Sequence, residues 1–334
     1  ERLGGRVQRV GAGGAAAGME VLHFFEDIGL SVIEGYGLTE TSPVVTAGSV
    51  DWEYRRLGCV GVPIHGIDVK IVDPTTLQPV PNDTDGEITV SGPIVMKGYH
   101  NNPQATEEVF FTYNNQRYFR TGDLGRLVEG KFLKITGRIK EQFKLENGKF
   151  VVPAPLEDIF SRGPFIAQSF LYGVNRPYTI LFVVPNYQEW SQWANSSFLS
   201  KAGEGGGNEG AKRSDKKEIA ALLPKDIAKA LPSEIGKNED DLRLLQQFVQ
   251  HPAFIRKVTK EIVKHSKLTK SYERPVYWVP IVQPFTPENQ MLTPKLSLRR
   301  NNVVKAYDHL LQSIYEGKTG HQITYEKDKT DQSS

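Results

Sequence analysis

Apolar positions along this chain follow two periods, and the change from one to the other divides it. Near the start, Val7 and Val10 mark a short apolar run, Arg6–Val10, that reads as a strand. Met19, Leu22, Phe25 and Ile28 then recur every three residues, as on one face of a helix, and Gly29 follows as its cap. Ser31–Glu34 reads as a second strand. Strand, helix and strand in such close succession form a βαβ unit, which implies a parallel sheet covered by helices. The turns Gly11-Ala12-Gly13-Gly14-Ala15 and Gly35-Tyr36-Gly37 both fall at C-terminal strand ends, where such sheets take ligands.

From Gly58 the texture becomes short and β-like. Val69–Val72 and Glu87–Val90 are separated by Pro, Asn, Asp and Gly, with Asp83–Gly86 as a polar turn, so a small antiparallel, barrel-like sheet is expected. A short helix is expected over Pro103–Val109, and a hairpin over Leu127–Ile135 turning at Glu129-Gly130. After Asn147-Gly148, Val151-Val152-Pro153 opens a new unit with strands at Leu171–Val174 and Ile180–Val184.

The segment near 192–216 is rich in Gly and small polar residues and reads as a flexible surface insertion. No strand precedes it and no Lys-Ser/Thr follows, so it is not a phosphate loop. Leu242–Phe248 and Phe254–Val263 read as helices. Lys257, Lys260 and Lys264 form a basic stripe, read as a solvated face with a membrane surface as the alternative. Val276–Val282 reads as a strand that Pro280 places at an edge. One closing helix runs through Val303, Val304, Tyr307, Leu310, Leu311 and Ile314, and a polar, disordered tail is expected past Gly317.

Composition adds limits. The 334 residues leave room for two or more cores. The 41 basic and 39 acidic residues nearly cancel, which argues against nucleic acid as a partner. The single cysteine, Cys59, excludes an internal disulfide and any multi-cysteine metal site. It reads as a small packed residue, and its solitude fits a reducing compartment. His23 and His65 lack metal-ligand partners at suitable spacing, and Trp190 with Trp193 reads as local packing. No apolar run is long enough to span a membrane as a helix. An intracellular place is expected, in the cytoplasm or peripheral on an intracellular membrane. The chain starts Glu-Arg-Leu-Gly-Gly with a strand almost at once, and is expected to be a fragment of something longer.

The chemistry concentrates in Ile33-Glu34-Gly35-Tyr36-Gly37-Leu38-Thr39-Glu40-Thr41-Ser42-Pro43. Gly35 and Gly37 let backbone approach a ligand closely. Tyr36 offers a flat face to a planar base, Thr39 a hydroxyl to a phosphate oxygen, and Glu40 a hard oxygen to magnesium. An ordinary strand-to-loop connection is the competing reading. Asp123, in Thr121-Gly122-Asp123, stands in an expected exposed turn, where its carboxylate suits the vicinal hydroxyls of a ribose or bonds its own backbone as an Asx-turn. Thr136–Lys144 reads as a junction whose basic residues, Arg138, Lys140 and Lys144, contact a phosphate or form a solvated linker.

In order, Gly35–Pro43, Gly98-Tyr99-His100-Asn101-Asn102-Pro103, Thr121-Gly122-Asp123, Gly137-Arg138-Ile139-Lys140 and Lys144–Pro153 resemble the adenylate-forming superfamily. The last, followed by Pro155-Leu156-Glu157, resembles its long-chain fatty acid–CoA ligase branch, and the likeness spans nearly the whole chain. The resemblance implies an α/β architecture: residues 1–137 as the end of a large parallel-sheet AMP-binding domain with a small barrel-like sheet, 138–317 as a smaller, mobile α+β lid, and 318–334 as a polar tail. It implies ATP, magnesium and coenzyme A, with a fatty acid activated to acyl-AMP and passed to the thiol. Tyr36 would stack near adenine, Thr39 would bind phosphate oxygens and Glu40 would hold magnesium. Asp123 and Arg138 would grip the ribose, Gly13, Gly14 and Ala15 would line the adenine and acyl site, and Lys140 would be the hinge.

Two departures qualify the likeness. The superfamily's upstream Ser/Thr/Gly-rich loop with its lysine is absent here, so a C-terminal half that is inactive alone is expected. In Thr293-Pro294-Lys295-Leu296-Ser297-Leu298-Arg299-Arg300, Ser297 occupies the place of the superfamily's catalytic lysine. Lys295, offset by two residues on a segment taken as extended, would keep the same face and serve instead. An acyl–acyl-carrier-protein synthetase and a catalytically degenerate nucleotide-binding homologue are the alternatives.

Overall fold

Residues 6, 7, 9–14, 18–196 and 213–325 are described in the computed structural model. It divides into two compact units, Glu1–Gln142 and Phe143–Ser334. No helix among the described residues is long and apolar enough to cross a membrane.

In the first unit, β1 (Arg9–Gly13) passes through α1 (Met19–Asp27) into β2 (Ser31–Tyr36), and the two strands pair in parallel. Backbone pairing rather than apolarity sets the bounds of β1, which includes Gly11 and Gly13 instead of ending before them. The turn begins only at Gly14, whose φ of +81° favours glycine, and Ala15 lies outside the described residues. On α1, Leu22 is fully buried but Ile28 is exposed, because Ile28 is the C-cap and has left the helical spiral. Short antiparallel strands β3 (Thr46–Ala47) and β4 (Val62–Pro63) complete this sheet.

A second, antiparallel sheet holds β5 (Asp68–Val72) and β6 (Gly86–Ser91) and, after the short α2 (Pro103–Glu108), β7 (Phe110–Tyr113), β8 (Gln116–Val128) and β9 (Phe132–Arg138). Asn102 caps α2 through its side chain, and Pro103 suits the first turn, where no N–H is needed. The β8–β9 hairpin turns at Glu129 and Gly130, both at positive φ, which matches the twist of the strands. Val69, Ile71, Ile88, Val90 and Leu133 pack with Tyr36, Val45 and Val60, so one core ties the two sheets together.

The second unit opens with the β10 (Phe143–Lys144) and β11 (Phe150–Val151) pair and α3 (Pro153–Phe160). Strands β12 (Ile166–Tyr172) and β13 (Thr179–Pro185) precede helices α4 (Tyr187–Asn195), α5 (Arg213–Leu222), α6 (Glu239–Gln250) and α7 (Pro252–Ser266). Strand β14 (Pro275–Pro280), helices α8 (Arg300–Ala306) and α9 (Asp308–Tyr315) and strand β15 (His321–Gln322) complete it. The sheet order is β12-β13-β14-β15. Every residue of β13 is buried, and alternate residues serve two cores. Leu181 and Val183 join Trp190, Phe248, Phe254 and Trp278, while Ile180, Phe182 and Val184 join Phe170, Phe285 and Ile314.

Four expectations change here. β14 is internal rather than an edge; Pro280 is tolerated because β15 pairs only Tyr277 and Trp278, leaving its missing donor unrequired on that side. The closing helix is two helices, broken at Tyr307 (φ −113°), whose ring packs edge-on against Phe182 and Phe285. The tail past Gly317 contributes β15, with Ile323 buried beyond it, because the edge of β14 offers it backbone partners. Of the glycine-rich insertion, residues 192–195 and 213–216 are helical, and 197–212 lie outside the described residues.

Candidate nucleotide and metal site

Parallel register sets Gly13 opposite Gly35, so both glycine turns leave the same end of the first sheet. Beyond Tyr36 the chain doubles back sharply. A Cβ on Gly37 would lie 1.6 Å from the Pro43 carbonyl oxygen, so only glycine allows this return. The doubling makes a 3-10 turn, Thr39–Thr41. Thr41 is buried and its hydroxyl exchanges bonds with the Leu38 backbone at 3.0 Å, leaving Thr39 exposed and Glu40 half-buried.

Tyr36 departs from the expected base-stacking platform. Its ring is packed in the core, and its hydroxyl donates to Asp123 Oδ2 at 2.7 Å. Asp123 departs too: it is a buried residue of β8, not part of an exposed turn. Gly122, at φ +71°, coincides with an irregular register between β6 and β8, and this bulge redirects the strand. Directly across the ladder is Arg138 on β9, whose Nε lies 3.0 Å from Asp123 Oδ1 as an ion pair. The carboxylate therefore bonds two distant side chains, and the Asx-turn reading falls. Burial pushes the Asp123 carboxyl above its ordinary value, while Tyr36 and Arg138 pull it back. Burial, and then the Asp123 charge, push the Tyr36 phenol far up, so it stays a donor.

Glu40 Oε1 accepts the Tyr99 hydroxyl at 3.1 Å. Among the described residues no side chain takes Oε2, and no group of three His, Cys, Asp or Glu could cage a metal. A lone, partly exposed carboxylate beside the Thr39 hydroxyl fits magnesium, which takes one or two carboxylates and fills its octahedron from phosphates and water. Sequence reasoning quoted Tyr99 within Gly98–Pro103 but gave it no role; an aromatic hydroxyl on a Gly-Asn-Pro turn was the available signal.

The remaining candidates are three lysines. Lys140 is exposed on the 3-10 turn Ile139–Glu141, near the end of the first unit. In the second unit, Lys144 is exposed on β10 with its ammonium 5.7 Å from the Phe150 ring. Lys295 is exposed on a tight turn, not an extended segment. Thr293 N–H donates to the Ser297 carbonyl at 2.8 Å, and Leu296 has φ +62°. Two-residue alternation does not apply to such a turn, so Lys295 does not inherit the face of Ser297 by that argument.

Residues 1–100 match the AMP-binding enzyme family. The probable acyl-activating enzyme 16, chloroplastic, of Arabidopsis thaliana is 30% identical over 91% of this chain and 37% of its own length. The long-chain-fatty-acid–CoA ligase FadD15 of Mycobacterium bovis is 37% identical over 57% of this chain and 29% of its own. The chain is thus similar to AMP-binding enzymes in its first hundred residues and to acyl-activating relatives along most of its length. Another relative, the long-chain-fatty-acid–[acyl-carrier-protein] ligase AEE15, chloroplastic, of Arabidopsis thaliana, is 37% identical over 53% of this chain and 25% of its own. The fold matches the adenylation domain of a carboxylate reductase from Mycobacterium chelonae, with a TM-score of 0.62 at 22% identity, over 94% of this chain and 39% of that one. The chain thus spans between about a quarter and two-fifths of the length of these relatives.

Proposed function

We propose that this chain serves the ATP-dependent activation of a long-chain fatty acid. A carboxylate oxygen attacks the α-phosphorus of ATP, the α–β bridging bond breaks, and pyrophosphate leaves an acyl-AMP. The thiol of coenzyme A then attacks the acyl carbon, losing its proton as AMP departs. The protein's part is positioning and charge stabilisation. Asp123 and Arg138 take the ribose, the Thr39 hydroxyl a phosphate oxygen, and the backbone at Gly13, Gly14 and Gly37 gives close approach. Magnesium, held by Glu40, would neutralise phosphate charge. Lys295 supplies the cation for the attacking carboxylate and α-phosphate, Lys144 a further phosphate contact, and Lys140 the hinge.

One observation carries this reading: the buried carboxylate of Asp123, tied to Tyr36 at 2.7 Å and Arg138 at 3.0 Å, in the same unit as the Thr39–Glu40 turn. A carboxylate has about four acceptor sites. Two are used, so two vicinal hydroxyls still find acceptors. The test is fatty-acid-dependent ATP–pyrophosphate exchange by the full-length protein, followed by AMP release on adding coenzyme A. Absence of exchange with every fatty acid tried, while ATP still binds, would sink the reading in favour of a binding homologue. The 37% identity to an acyl-carrier-protein ligase favours a second acceptor, a carrier-bound pantetheine. Competition between free coenzyme A and acyl carrier protein for one pool of acyl-AMP separates the two.

A further inference from the structure

The loop before α2 is fastened to the 3-10 turn that bears Glu40, and the fastening reaches the carboxylate itself. Met96 N–H donates to the Glu40 carbonyl at 2.8 Å, and the Tyr99 hydroxyl donates to Glu40 Oε1 at 3.1 Å. The loop is stiff in its own right. Tyr99 N–H donates to Thr106 Oγ1 at 2.9 Å, and that hydroxyl donates to the Asn102 carbonyl at 2.8 Å. A Cβ on Gly98 would come within 2.6 Å of Thr106 Cγ2, so the chain passes close against α2 there. Tyr99 therefore comes to Glu40 from a backbone held by these bonds, although its ring is itself exposed.

From this geometry we infer that Tyr99 is a positioning residue for Glu40. Its O–H occupies Oε1 and fixes the carboxylate plane, so that Oε2 is presented to the divalent cation. A glutamate on a partly exposed turn otherwise samples several rotamers, and a cation that demands near-octahedral geometry binds only some of them. Hydrogen bonds from the surroundings to a ligating carboxylate are the general means of restricting that choice. The inference rests on the proposal that Glu40 holds the metal.

The experiment titrates Mn²⁺ into the full-length protein by electron paramagnetic resonance, in the presence of a non-hydrolysable ATP analogue. Tyr99→Phe, which keeps the ring and deletes the hydroxyl, is expected to weaken Mn²⁺ binding about tenfold. Metal-free AMP binding in EDTA and the thermal midpoint are expected to stay at wild-type values. Glu40→Gln is the companion variant. If it loses Mn²⁺ while Tyr99→Phe binds normally, the positioning role is overturned and the metal reading stands. Should Glu40→Gln also bind Mn²⁺ normally, both are overturned. If Tyr99→Phe weakens metal-free AMP binding as much as Mn²⁺ binding, the hydroxyl is merely structural and the inference is again overturned.

Discussion

Each unit holds an arginine–carboxylate pair with the carboxylate buried, and the two pairs are built for different ends. In the second unit Glu157 on α3 is 8% exposed and Arg300 at the start of α8 is 17% exposed. The guanidinium takes both carboxylate oxygens through its two terminal nitrogens, and Glu157 Oε1 also accepts the Leu171 N–H at 2.7 Å. In the first unit Asp123 is 7% exposed but Arg138 is 64% exposed, with its Nε 3.0 Å from the carboxylate. The forked, doubly buried pair fastens α3, β12 and α8 together. The Asp123–Arg138 pair leaves most of a guanidinium in water, where the proposed function has it meet a ribose. With both partners buried the second pair is a closed fastening; with only the carboxylate buried the first leaves its guanidinium accessible, as the proposed ribose role requires.

Removing one partner of the closed pair should produce the largest effect. Glu157→Ala strands the Arg300 guanidinium and the Leu171 N–H, and is expected to cost about 3–5 kcal/mol of stability. Denaturant unfolding monitored by the tryptophans of the second unit reads this directly. A loss below about 1 kcal/mol, the range of an exposed ion pair, would erase the contrast with Asp123.

Next in size is Lys295, five residues before Arg300. With Arg300 bound to Glu157, and Arg299 at the N-cap of α8, Lys295 is the exposed cation on the turn. Lys295→Ala is expected to slow acyl-adenylate formation about 100-fold, the order of one charge-stabilising group. Thioester formation from preformed acyl-AMP, and unfolding, should barely change. Rapid-quench measurement of the first step checks this; equal slowing of both steps would mean that the turn as a whole, not its ammonium, matters. Ser297→Lys tests the other place for the cation, and recovery in the Lys295→Ala background would show that the turn tolerates either.

The parts legible in sequence are those fixed by short-range rules. Glycine turns and period-three apolar residues revealed the β1–α1–β2 unit, and Asn102-Pro103 revealed the start of α2. Asp123 and Arg138 were brought to one ribose by the resemblance but not foreseen as an ion pair, because their pairing depends on the register of β8 with β9 and on the Gly122 bulge. Tyr36 was misread for a related reason: its exposure is decided by Val45, Val60 and Ile88, distant in sequence and packed with it. Nothing in the sequence revealed the role of Arg300, which only the tertiary contact with Glu157 shows to be committed to the core. The extended segment expected around Lys295 was wrong for a local reason, since the positive φ of Leu296 converts the run into a turn.

The smallest expected change in stability, and the sharpest separation of the two pairs, comes from Asp123→Asn. The isosteric amide keeps an acceptor for Tyr36 but removes the charge that Arg138 and a ribose would share. AMP affinity of the full-length protein is expected to fall about tenfold, a charged hydrogen bond or two being lost. Stability should move the other way from Glu157→Ala. Burial holds the Asp123 carboxyl above its ordinary value, so folding favours the protonated form. For an acid raised on folding, the folded chain binds more protons than the unfolded one in the window between the two values. Stability is then lost as pH rises through that window, and the ionised carboxylate is a net burden above it. At pH 7 Asp123→Asn should thus be as stable as the wild type or slightly more so, and the difference should shrink on acidification. Urea unfolding of both proteins at several pH values, beside AMP titrations, measures the two halves. A variant that binds AMP normally yet unfolds more easily would make Asp123–Arg138 a structural fastening like Glu157–Arg300, and the distinction between the two pairs would collapse.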